Sequence, residues 1–255
     1  MNINGKERKY MIKLIVADFD GTLMPFGAEA VSEKTCDLIE TALKKNIVFA
    51  VSSGRTYSEL AHYLPQFVDR IWFICCDGAY YVKEGKTYYE KQIAMGDIDY
   101  LFRSNGEDVS FVFHGAFDNF NIGDVPEEGR RYGGKALTRP EARLPKEKIY
   151  KITAYGAKGT LAPYGGLRMH WDGGPNAASQ YVNRYADKGI ALSNLQMRLM
   201  LTKFETVCIG DSGNDVAMMH NAKYSYCVGT RSEALVKCCT HHVESAESAL
   251  EELLK

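Results

Sequence analysis

Three short apolar runs, each breaking off into small or acidic residues, constrain this chain more than any other feature. They are Lys13–Ala17 (KLIVA) before Asp18-Phe19-Asp20-Gly21-Thr22, Ile47–Val51 (IVFAV) before Ser52-Ser53-Gly54-Arg55, and Thr206–Ile209 (TVCI) before Gly210-Asp211-Ser212-Gly213-Asn214-Asp215. Runs of this length and content fit strands covered on both faces of a parallel sheet. Helical patterns separate the early ones. Ser32 is placed to cap a helix to about Lys45, with Leu38, Ile39, Ala42 and Leu43 on one face and Asn46 as stop signal. Thr56–Leu64 reads as a second helix closed by Pro65, and Trp72–Cys76 as a further strand. Repeated strand–helix–strand steps imply right-handed crossovers in an α/β sheet. Ligands of such sheets bind beyond the carboxyl ends of the strands, where the polar clusters fall here.

The middle of the chain has a different grain. Ala79–Gln92 reads as a hairpin turning at Glu84-Gly85, and Val109–His114, Ile149–Ala154 and Leu167–Trp171 as strands. Asn121–Pro145, rich in Gly, Pro and charge, is expected to hold helix fragments and loop. From about Arg184 the alternation returns: a helix Ile190–Lys203, a helix near Asp215–His220, a strand Tyr224–Val228 and a closing amphipathic helix Glu244–Leu254. The expected organisation is therefore an α/β core of 1–80 plus 184–255, with an inserted α+β domain at 81–183.

Composition narrows the class. Lys plus Arg number 31 against 32 Asp plus Glu, for a net charge of −1, which offers no field for nucleic acid or an anionic membrane. No apolar run has the ~18 residues of a membrane span, and the start, MNINGKERKYM, lacks the apolar core of a signal peptide. Seven cysteines, several inside apolar runs and none in CxxC spacing, fit free thiols and a reducing cytoplasm. Cys238-Cys239-Thr240-His241-His242 offers soft ligands, but neighbouring residues rarely converge on one ion, so zinc is not expected there.

The acidic clusters carry the chemistry. Asp18 and Asp20 are two apart in extended chain and point to one side, with Phe19 opposite. Paired carboxylates repel unless one is protonated or a cation neutralises them. Asp211 and Asp215 would add to the charge, and an all-oxygen set suits a hard divalent ion, Mg²⁺, over zinc.

Asp18-Phe19-Asp20-Gly21-Thr22-Leu23, Ser53-Gly54-Arg55, Lys188-Gly189-Ile190-Ala191-Leu192 and Gly210-Asp211-Ser212-Gly213-Asn214-Asp215 resemble the four motifs of the haloacid dehalogenase superfamily, nearest its Cof-type phosphatases. The resemblance covers nearly the whole chain and implies a Rossmann-like core interrupted by an α/β cap. It implies Asp18 as nucleophile and Asp20 as general acid and base. Ser53, the Gly54 N–H, Lys188 and Asn214 would hold the phosphate, and Mg²⁺ would lie on Asp18, Asp20 (through its backbone carbonyl), Asp211 and Asp215. The expected activity is hydrolysis of a small phosphorylated metabolite, with a sugar phosphate favoured. A phosphomutase and a non-catalytic binding module are the alternatives. Three departures from the family pattern bear on the substrate: Asp77 in Asp77-Gly78-Ala79 where asparagine is usual, Gly229-Thr230-Arg231, and a long Asp172–Asn176 stretch. Arg55 is open between substrate contact and a structural pair. Cap residues that would read the leaving group include His114, Phe117, Asn119, Tyr155, His170, Trp171 and Asp172.

Overall fold

A computed structural model of the chain describes residues 11–130, 133–143, 145–156, 167–171, 178–230 and 232–255. Its internal contacts divide it into two compact units, 1–50 with 193–255, and 51–192.

The first unit opens with β1 (Leu14–Asp18), buried along its whole length. Helix α1 (Glu33–Lys44) starts where the Ser32 side chain accepts the Thr35 N–H at 3.0 Å. It stops at Asn46, whose φ of 59° is the left-handed conformation asparagine tolerates. The chain then enters β2 (Val48–Ser52), where the Val48 N–H donates to the Lys13 carbonyl at 2.8 Å.

The second unit takes over within β2. It contains α2 (Tyr57–Tyr63), β3 (Trp72–Cys75) and the antiparallel hairpin β4 (Tyr80–Lys83) and β5 (Lys86–Glu90). Helix α3 (Met95–Ser104) leads into β6 (Ser110–His114), β7 (Asn119–Ile122), α4 (Glu127–Arg130), β8 (Lys135–Leu137), α5 (Arg139–Arg143), β9 (Lys151–Tyr155), β10 (Leu167–Trp171) and β11 (Ser179–Asn183). Six of these strands form one sheet in the order β10-β11-β9-β6-β7-β8. Its described pairs are antiparallel except β7–β8. Its buried face joins Phe111, Phe113, Ile152, Ala154 and Tyr181 to Leu101 and Phe102 of α3 in one apolar core.

Helix α6 (Lys188–Leu199) carries the chain back. The first unit then adds β12 (Thr206–Gly210), α7 (Val216–Met219), β13 (Tyr224–Val228), α8 (Glu233–Cys238), β14 (His241–Val243) and α9 (Ala246–Leu253). Its strand order is β14-β13-β12-β1-β2, and the described pairs β14–β13, β13–β12 and β12–β1 are parallel. The protein is thus an α/β fold built on a parallel-rich sheet. No helix among the described residues is long and apolar enough to cross a membrane.

Several elements differ from expectation. Asn121–Pro145 holds the end of β7 and all of β8 beside its short helices, because β8 pairs along β7 at a sheet edge, a tertiary contact with no local signal. Helix α6 begins at Lys188 rather than Ile190, because Asp187 Oδ1 caps it by accepting the Gly189 and Ile190 N–H groups at 2.8 and 3.0 Å. It ends at Leu199, where Met200 turns to φ 55°. Elements α3, β11, α8 and β14 were not anticipated. Asp172–Asn176 and Arg231 lie outside the described residues, and His170 and Trp171 fall on β10.

Candidate active site

The first unit assembles its acids at two strand ends. Asp18 is the last residue of β1 and only 4% exposed. The chain turns sharply after it: the Leu23 N–H donates to the Asp18 carbonyl at 3.3 Å and the Met24 N–H to Phe19 at 2.9 Å. Phe19 anchors the turn in the core, while Asp20 stays partly accessible. Gly21 sits at φ 86°, and a Cβ there would lie 2.5 Å from Asp211 Oδ2 and overlap the Phe26 ring. Only glycine permits that approach.

Asp211 follows β12. Asp215 Oδ2 accepts the backbone N–H groups of Asp211 and Ser212 at 3.2 and 3.1 Å, which pins the loop. Gly210 keeps it compact, since a Cβ would stand 2.6 Å from that same oxygen. Asn214 is exposed and accepts the Ser212 hydroxyl at 2.6 Å. The result is a cluster in which Asp18, Asp211 and Asp215, all buried, each bring a carboxylate oxygen within 4.8 Å of the others. Three buried carboxylates at that spacing repel strongly, and a single hard cation satisfies them. The donor set fits Mg²⁺: every side-chain ligand is oxygen, with no thiolate or imidazole.

The second unit holds the remaining motif residues. Ser53 is buried; its N–H donates to Ile74 and its carbonyl accepts from Asp77, each at 2.9 Å. Its Oγ accepts the Arg55 N–H at 3.1 Å. Asp77 adopts φ 55°, and a Cβ at Gly54 would meet its carboxylate oxygens at 3.4 and 3.5 Å. Arg55 places its guanidinium over the Tyr63 ring at 4.9 Å, a packing role alongside its other contacts. Gly78, at φ 88°, lets the 187–188 backbone press close: a Cβ would overlap the Asp187 carbonyl oxygen and come within 2.9 Å of the Lys188 nitrogen. Lys188 is only 1% exposed, so it is not the solvated lysine that a helix start usually carries.

The six-stranded sheet turns its polar face to a cavity of about 370 Å³, lined by His114, Asn119, Lys151, Thr153, Tyr155 and Gln180 among others. Both nitrogens of His114 are engaged, Nδ1 with Asn119 at 3.0 Å and Nε2 with Thr153 at 2.9 Å. Burial, then the nearby Lys151 ammonium, push its pKa down to about 4, so the ring is neutral near pH 7. Phe117 packs edge-on against Tyr57 at 5.4 Å. Lys151, Thr153 and Gln180 were missed in the sequence. The available signal was alternation: Lys151, Thr153 and Tyr155 share one face of β9, while Ile152 and Ala154 enter the core.

The profile of a family described as haloacid dehalogenase-like hydrolase matches residues 15–249. The chain is 22% identical over 247 residues to the 5-amino-6-(5-phospho-D-ribitylamino)uracil phosphatase YbjI of Escherichia coli (strain K12), covering 92% of this chain and 91% of that protein. Among solved structures, it superposes on a haloacid dehalogenase-like hydrolase from Bacteroides thetaiotaomicron with a TM-score of 0.81 at 18% identity, covering 95% and 99% of the two chains. The subclass IIB sugar phosphatase BT4131 gives a TM-score of 0.78 at 18% identity, with 94% and 98% covered. At these identities the structures establish a shared fold, whereas the profile spans most of the sequence and all four motifs. The chain belongs to the haloacid dehalogenase-like hydrolases.

Proposed function

We propose that this hydrolase is a Mg²⁺-dependent phosphomonoesterase acting on a small phosphorylated metabolite. The observation that carries the reading is the cluster of Asp18, Asp211 and Asp215 at the ends of β1 and β12. Asp18 attacks phosphorus in line, forming an aspartyl-phosphate as the P–O bond to the leaving group breaks. Asp20 gives its proton to the departing alkoxide. It then takes one from the water that attacks phosphorus, releasing inorganic phosphate and restoring Asp18. Ser53, the Gly54 N–H and Lys188 bind phosphoryl oxygens, with the positive charge of Lys188 set against the negative charge those oxygens carry in the transition state. Asn214 is a further candidate for the phosphate. Asp18, Asp20, Asp211 and Asp215 would hold Mg²⁺, which supplies charge neutralisation and polarises the phosphoryl group.

Residues 81–183 serve as the recognition domain and 1–80 with 184–255 as the catalytic core. The cavity on the six-stranded sheet supports a polyhydroxylated leaving group, because Asn119, Thr153 and Gln180 offer hydrogen bonds where a hydrophobic ligand would need apolar walls. The names of two similar proteins, a phosphoribitylaminouracil phosphatase and a sugar phosphatase, point the same way. Seven free thiols, four of them buried, support a cytoplasmic setting.

Phosphate release from a panel of sugar and polyol phosphates plus an aryl phosphate tests the reading, with and without Mg²⁺ and with Asp18→Asn as control. Release that needs both metal and Asp18 is expected. A mutase would instead depend on a sugar bisphosphate and release little phosphate. No turnover of any compound under any condition would favour a binding module.

A further inference from the structure

Lys151 opens β9 on the polar face of the six-stranded sheet, opposite His114 of β6. Its Nζ donates to the Gly54 carbonyl at 3.0 Å. That oxygen belongs to the Gly54–Arg55 peptide, whose other end, the Arg55 N–H, donates to Ser53 Oγ at 3.1 Å. The peptide is planar and stiff, so a grip on its oxygen fixes the direction of its N–H. A cation on the oxygen also polarises the unit and strengthens the N–H as a donor.

The effect falls on Ser53. Its backbone N–H and carbonyl are already committed to Ile74 and Asp77. With Oγ accepting from Arg55, the hydroxyl has one proton, which it can donate only elsewhere. His114 cannot replace Lys151, because both of its ring nitrogens are occupied by Asn119 and Thr153. Glu59, the nearby carboxylate from α2, caps its own helix by accepting the Thr56 N–H at 2.6 Å. The ammonium of Lys151 therefore faces both the cavity and the Ser53 loop.

We infer that Lys151 is a positioning residue: through the Gly54–Arg55 peptide it sets the Ser53 hydroxyl as a donor to a phosphoryl oxygen, and it links the sheet cavity to that loop. The inference rests on the assignment of Ser53 to the phosphate.

A double-mutant cycle with an aryl phosphate as substrate tests it, since that leaving group has no hydroxyls to contact the cavity. Lys151→Met should lower kcat/KM ~10-fold in the native background but less than ~2-fold beside Ser53→Ala, the non-additivity of residues acting as one unit. Lys151→Arg, which keeps the charge, should recover most of the loss. Equal losses in both backgrounds, or no loss in the native one, would overturn the inference while leaving the phosphatase reading intact. The Arg55 amide proton gives a readout free of turnover: Lys151→Met should move it upfield and Lys151→Arg should leave it near its native shift. If the native enzyme releases no phosphate from any compound of the panel, the phosphatase reading falls, whereas an unmoved Arg55 resonance overturns the positioning role by itself.

Discussion

The acidic centre of the first unit and the polar sheet face of the second solve the problem of holding polar groups in place differently. At the ends of β1 and β12 the backbone does the work. Gly21 and Gly210 remove side chains that would collide with Asp211 and Asp215, and Asp215 is tied by two N–H groups of its own loop. On the six-stranded sheet β6, β7, β9 and β11 each lend one or a few residues, and neighbouring side chains hold one another, as His114 does with Asn119 and Thr153. The first arrangement is written in contiguous motifs and tolerates almost no change. The second exists only once β6, β7, β9 and β11 are in register, and its positions other than Lys151 are replaceable singly.

Substitutions at the acidic centre should therefore be severe. Asp18→Asn is expected to cut turnover by ~10⁴-fold or more, since it removes the proposed nucleophile, while leaving the thermal midpoint within a few degrees. Retained phosphate release in that variant would remove the covalent route. Asp20→Asn should cost ~10²–10⁴-fold, the range for lost acid–base assistance. The loss should be smaller for an aryl phosphate, whose leaving group needs less protonation, and equal losses on alkyl and aryl substrates would argue against a proton-donor role.

Gly78 is an unforgiving position of the second unit. Gly78→Ala must place a Cβ into the Asp187 carbonyl at a φ of 88°. A cost of about 2–4 kcal/mol is expected from combined strain and overlap, read from urea unfolding. A loss under about 0.5 kcal/mol, typical of an unconstrained surface site, would mean that the close approach is not required.

The effect at His114 appears only in acid. Its folded pKa, about 4, lies below the unfolded value of 6.5, so between these values the unfolded chain binds the extra proton. Its contribution to stability is complete above pH 6.5 and declines as pH falls toward 4, with a slope of at most about 1.4 kcal/mol per pH unit. His114→Gln should flatten that decline in unfolding titrations from pH 7 to 4. An unchanged slope would place the titrating group elsewhere.

How far the sequence is legible follows the same division. Asp18, Asp211 and Asp215, which the structure brings together, leave a contiguous trace because each follows a strand end or a glycine turn; Asp20 carries the same trace without joining that cluster. The first helix is visible from Ser32 at its start and Asn46 at its end. Helix α3 escapes because Ala94 provides no side-chain cap and Gly96 weakens its first turn. Strands β8 and β14 are three residues long and owe their form to a neighbour. Lys188 is marked by its motif, Lys188-Gly189-Ile190-Ala191-Leu192, rather than by residue type, and its burial is set by packing that spacing does not encode. Lys151 needs both alternation along β9 and knowledge of where the Gly54 carbonyl lies.

The alternation along β9 separates two kinds of selection. Positions 151, 153 and 155 face the cavity, whereas Ile152 and Ala154 belong to the apolar interior. A lineage, or a library, can vary the cavity wall at the odd positions, and with it the leaving group proposed to bind there, without reopening the interior at the even ones. New specificities can then be sampled at little cost in folding, with Lys151 the exception.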